Sequence, residues 1–165
     1  LLASTALASP ALAIYPHIER QNPSKEAVNR LIQRSESVGV TFFNEDSGPG
    51  AAEACSDGAY GMANTDRQVL LCLGKHGDKW IELTDTMRHE LVHVAQGCKG
   101  ESKQLIPLIE GKEQEYLDYA DGVLGWPIAL GYEPELWEIE GEAFTLAHLL
   151  NSEEIGDLVV TYCGS

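Results

Sequence analysis

His89 and His93 stand four residues apart in the run TDTMRHELVHVAQGC, residues 84–98, and Glu90 directly follows the first of them. On an α-helix, residues four apart share a face, so the run offers two imidazoles side by side. Glu90 is turned by about 100° from His89, which places it beside that face rather than on it. Gln96 falls near the histidine face. Met87, Leu91, Val94 and Ala95 lie opposite and need burial. The chain must therefore give this helix a packed back and an open polar front. Thr84 or Asp85 is the expected N-cap, and Gly97 the expected stop.

The elements around it follow from periodicity and turn residues. PSKEAVNRLIQRSESV, 23–38, carries Ala27, Val28, Leu31 and Ile32 at helical spacing. GVTFF, 39–43, and RQVLLCL, 67–73, read as strands, with DKWIEL, 78–83, extending or pairing with the second. Residues 44–58 and 121–132 read as loops by their Gly, Pro, Asn and Asp content. A helical segment is expected around 103–120. Pro134 suits the first position of a further helix running to about Leu150. LVVTYC, 158–163, reads as a closing strand. The order is α+β, with a small mixed or antiparallel sheet. One domain spanning 14–165 is the expected organisation.

The motif itself resembles the H-E-x-x-H helix of zinc metallopeptidases. There, two histidines bind the metal and the glutamate serves as base for a bound water. A third protein ligand is then required, with an open position for water. Gln96 and Lys99 occupy the positions where a metzincin has its glycine and third histidine, so that route is closed. A second route uses a glutamate on a downstream helix, followed four residues later by an acid. Glu138/Glu142 and Glu153/Asp157 fit that spacing; Gly156 interrupts the latter.

HELVH together with EIEGEAF, 138–144, resembles the gluzincins, most closely the anthrax lethal factor catalytic domain. The resemblance is confined to these two helices. It implies a zincin-like fold, Glu138 as third ligand, and Glu142 fixing a metal-bound histidine through its other ring nitrogen. Trp137 stands where the thermolysin-type asparagine would be, and no G-x-M-E-N motif of aminopeptidases occurs. An endopeptidase is the implied activity. One pattern points the other way. At about 100° per residue the apolar arc of the downstream helix holds Leu136, Ile139, Ala143, Phe144 and Ala147, and Glu140 falls inside it. Glu140 is therefore the alternative third ligand. Tyr132 is a candidate oxyanion donor, and His148 a weaker one.

Charge and cysteines set the partners and compartment. Asp plus Glu number 26 against 11 Lys plus Arg, a net charge of −15. That disfavours a nucleic-acid partner, whose phosphates are neutralised by basic residues, and adhesion to an anionic membrane. LLASTALASPALA, residues 1–13, is apolar and ends in Ala11-Leu12-Ala13, a signal-peptidase pattern too short for a membrane span. Four cysteines form an even set without a C-x-x-C pair, which in an exported chain (periplasm, secreted, or thylakoid lumen) suggests two disulfides. Of the three connectivities, Cys55–Cys72 would staple a loop to a strand, and Cys98–Cys163 would tie the C-terminus to the histidine helix.

Together these features predict an exported zinc metalloendopeptidase acting on a peptide laid along the edge of strand 67–73. The alternatives are a catalytically inactive zincin-fold binding or scaffold module and a metal-free helical protein. Intact Glu90 argues against the scaffold, which has no use for a base.

Overall fold

A computed structural model describes residues 23–100, 105, 127, 128 and 130–164. Helix α1 spans Lys25–Ser37; the Ser24 side chain caps it by accepting from the Ala27 N–H. Its buried stripe is Ala27, Val28, Leu31 and Ser35. Strand β1, Thr41–Asn44, follows. The expected loop beyond it is instead a 3-10 turn, Glu45–Ser47, and helix α2, Pro49–Ser56. Proline at the first helical position explains the start, since its fixed φ suits a helix and its missing N–H costs nothing there.

Two short strands complete a three-stranded sheet: β2, Gly61–Ala63, and β3, Gln68–Leu71. The order is β1-β3-β2, with β1 parallel and β2 antiparallel to β3. The sheet is thus mixed. β2 is too short for a periodicity signal. It also changes where an added strand could bind: β3 is paired on both sides, so residues 67–73 offer no edge. The edge strands are β1 and β2.

A four-residue helix, α3 (Leu73–His76), precedes the long helix α4, Trp80–Lys99. α4 begins four residues before the expected cap, so 78–83 contributes no strand. Trp80 anchors the start by donating its indole N–H to the Pro23 carbonyl at 2.9 Å. Thr84, the expected cap, lies inside the helix and returns its hydroxyl to the Trp80 carbonyl. Gly97 is helical; Gly100, at φ 81°, ends the element in the left-handed region that glycine tolerates.

The helix expected around 103–120 lies, apart from Leu105, outside the described residues, as does most of the 121–132 loop. A 3-10 turn at Pro134–Leu136 leads into α5, Trp137–Leu149. α6, Ser152–Cys163, replaces the expected closing strand. Its β-branched run is overruled by a capping box at Asn151 and Glu154 and by Ile155, Leu158, Val159 and Cys163 on one buried face.

The architecture is α+β. α6 packs against α1 and α4, while α4 packs also against α5 and the sheet. Met87, Leu91, Val94 and Ala95 are all buried in the core with Val69, Leu71, Ala143, Leu146 and Ile155. Both disulfides join the pairs favoured above. Cys55–Cys72 ties α2 to the end of β3, and Cys98–Cys163 ties the last turn of α4 to the last of α6.

Candidate metal centre

The back of α4 is fixed by the core, so its front is fixed too, and His89, Glu90 and His93 face a cleft of about 830 Å³. The opposite wall is α5, and β2 forms a third side. His89 Nε2 and His93 Nε2 are 3.0 Å apart. Glu140 Oε2 completes the triangle, 3.2 Å from His89 Nε2 and 3.4 Å from His93 Nε2.

The carboxylate that meets the histidines is therefore Glu140 and not Glu138, which is exposed to solvent. The apolar arc of α5 is turned towards α4, and Glu140 is the polar member of that arc. The Glu138 expectation followed acid spacing, which presumes that the residue four further on touches a histidine directly. Glu142 does not. It is buried, accepting from the Gln96 amide at 2.8 Å and from the Leu105 N–H at 2.6 Å. Gln96 in turn meets His93 Nδ1 through its Oε1 at 2.8 Å.

The triangle has the dimensions of a metal site. Ligands at about 2.0–2.1 Å from a tetrahedral ion lie roughly 3.3 Å from one another. The three observed edges, 3.0, 3.2 and 3.4 Å, bracket that value. Glu140 Oε2 is buried and receives no hydrogen bond of good geometry among the described residues. Two nitrogens and one oxygen converging on one point suit a borderline ion, not a hard cation that prefers oxygen alone. His89, His93 and Glu140 are thus a group able to hold a metal ion.

Electrostatics follow from burial and mutual contact. Burial lowers the His89 pKa. For His93 burial also opposes the charged form, but contacts with Glu140, Glu90 and Gln96 outweigh it and raise the value. Glu140 is opposed by burial as well, yet the two histidines pull it down to about 2. Glu90 is pushed up to about 7 by burial, with Glu140 adding to the rise; His93 and a hydrogen bond from the Ala63 backbone counteract it. A carboxyl poised there exchanges protons readily near neutrality.

Tyr132 is half-buried beside the triangle, its ring 6.4 Å from that of Phe144. Burial, the Glu140 and Glu90 charges and a hydrogen bond to Glu140 raise its hydroxyl to about 12, so it stays protonated. His148 also borders the cleft, with Nδ1 2.7 Å from the Phe144 carbonyl. Trp80 and Trp137 serve as anchors, Trp137 donating to the Tyr132 carbonyl at 2.8 Å.

Gly61 contributes what no motif foretells. A Cβ there would stand 2.7 Å from Thr86 Cγ2 and 3.0 Å from Glu90 Cγ. Only glycine lets β2 lie close enough for the Ala63 N–H to reach Glu90. Comparison of the chain with protein families, curated proteins and solved structures gives no match. The zincin pattern rests on the residues of the two helices themselves.

Proposed function

We propose that the chain is an exported, zincin-like zinc metalloendopeptidase. The observation that carries this reading is the convergence of His89, His93 and Glu140, with the buried Glu90 one residue along on the same helix. Zinc is the proposed ion because two imidazoles and a carboxylate match its catalytic ligand sets. When bound, it would supply Lewis-acid polarisation and an acidified water.

The chain's own residues do the rest. Glu90 takes a proton from the attacking water as oxygen bonds to the peptide carbonyl carbon. It then gives that proton to the leaving amine nitrogen as the C–N bond breaks, which restores its starting state. Tyr132, protonated and beside Glu140, donates to the developing oxyanion. A substrate strand would add to β2, whose residues border the cleft, rather than to β3. Two disulfides support an oxidising compartment. No described helix is long and apolar enough to cross a membrane.

The test is Glu90→Gln, with zinc content and hydrolysis of an unstructured protein both measured. Zinc should stay at one per chain while turnover disappears. Equal turnover in the variant would refute the mechanism. Zinc binding without turnover in the unsubstituted protein would instead favour the scaffold alternative.

A further inference from the structure

Gln96 is the residue through which α4 and α5 are locked together behind the triangle. Its Nε2 approaches the Ile139 carbonyl at 3.1 Å and Glu142 Oε2 at 2.8 Å. A backbone carbonyl can only accept, so the amide nitrogen must face it and Oε1 must face His93. That oxygen, 2.8 Å from His93 Nδ1, accepts and cannot donate. His93 is therefore protonated on Nδ1, and Nε2 is the ring nitrogen that points into the triangle. This is the tautomer opposite to the one a free histidine prefers in water.

Gln96 and Glu142 are both buried, which makes the amide's orientation costly to reverse. Glu142 is held in turn by the Leu105 N–H. The same chain thus runs from residue 105 through α5 to a ring on α4. His89 has no equivalent: its Nδ1 is buried with no hydrogen-bond partner among the described residues.

We infer that Gln96, oriented by the Ile139 carbonyl and Glu142, is a positioning residue that fixes the tautomer and ring orientation of His93 for metal binding. It takes the place of the direct carboxylate–histidine contact expected of Glu142. The inference rests on the proposed metal site for its consequence but not for its first test.

That first test is the ring-nitrogen NMR spectrum of His93 in the zinc-free full-length protein. The expected signature is a proton on Nδ1, with or without a second on Nε2; a ring protonated on Nε2 alone overturns the inference whether or not the chain binds zinc. The second is zinc affinity by chelator competition. Gln96→Leu should weaken zinc by about 10–100-fold and release the tautomer preference. Exchanging the pair, Gln96→Glu with Glu142→Gln, keeps an acceptor for His93 Nδ1–H and an amide donor behind it, gives up the donor to the Ile139 carbonyl, and should recover part of the loss. Zinc affinity within two-fold of the unsubstituted protein in Gln96→Leu would refute the positioning role. Failure of the unsubstituted protein to bind zinc would refute the proposed function instead, leaving the tautomer result to decide the fate of Gln96.

Discussion

At the scale of single residues, the division of labour among three glutamates on α5 gives the sharpest expectations. Glu140→Ala should weaken zinc by more than about 100-fold, since a ligand matters more than its support. Glu138→Ala should leave affinity close to that of the unsubstituted protein, because the side chain is exposed and absent from the triangle. A chelator titration of both decides it; the reverse order would restore the acid-spacing assignment. Tyr132→Phe should retain zinc and lower kcat by about 10²–10³, the usual loss for one oxyanion donor. The grouping of the histidines and Glu90 was legible in the sequence because a four-residue spacing on one helix needs no tertiary information. Glu140 was legible only as a conflict between two patterns, and the burial of α5 decided between them. Gln96 could be placed near the histidine face, but its bond to Glu142 depends on how two helices cross, which neither helix encodes alone.

At the scale of elements, β2 shows how a three-residue strand can matter without leaving a pattern. Gly61→Ala should destabilise the fold by about 1–3 kcal/mol, because the added methyl meets α4. Thr86→Ser in the same chain should recover part of that by removing the nearest methyl, and denaturant unfolding measures both. The start of α3 gives a pH-dependent counterpart. The Glu45 carboxylate accepts from the Leu73 and Gly74 backbone N–H groups, and backbone hydrogen bonds lower its pKa. A lowered folded-state value means stability that is present above the ordinary carboxyl range and is lost as pH falls through it. Glu45→Gln should therefore be less stable than the unsubstituted protein at pH 7, with the gap closing below about pH 4. An equal gap at pH 7 and pH 3 would contradict the ionic origin. Misread elements have a shared cause. Residues 158–163 carry β-branched side chains and 49–56 carry loop residues, yet the capping box at Asn151 and a buried face set the first as a helix, and Pro49 at the first helical position with Cys55 buried in its disulfide sets the second.

At the scale of the whole molecule, the α+β class and the presence of two disulfides were readable, because the order of elements and the parity of cysteines survive local errors; the fold then selects Cys55–Cys72 and Cys98–Cys163 from three connectivities. The sheet's strand order was not, since it depends on which short segment pairs with β3. Cys98 and Cys163 are separated by 65 residues, so by loop closure their link limits the unfolded chain by about 4 kcal/mol. Replacing both by serine should lower stability by roughly 2–4 kcal/mol in a chemical denaturation curve.

That same link encloses Glu140 and its helix within a covalent ring whose two ends are anchored to the histidine helix and α6. A peptidase of the proposed kind would be exposed to its own activity and to that of its neighbours. A single backbone cut between residues 98 and 163 would open the ring without releasing either piece. The nicked molecule should run as one band until reduced and as two afterwards. Loss of zinc should follow reduction rather than cleavage, which makes tolerance of such wounds a property of the chain's covalent topology.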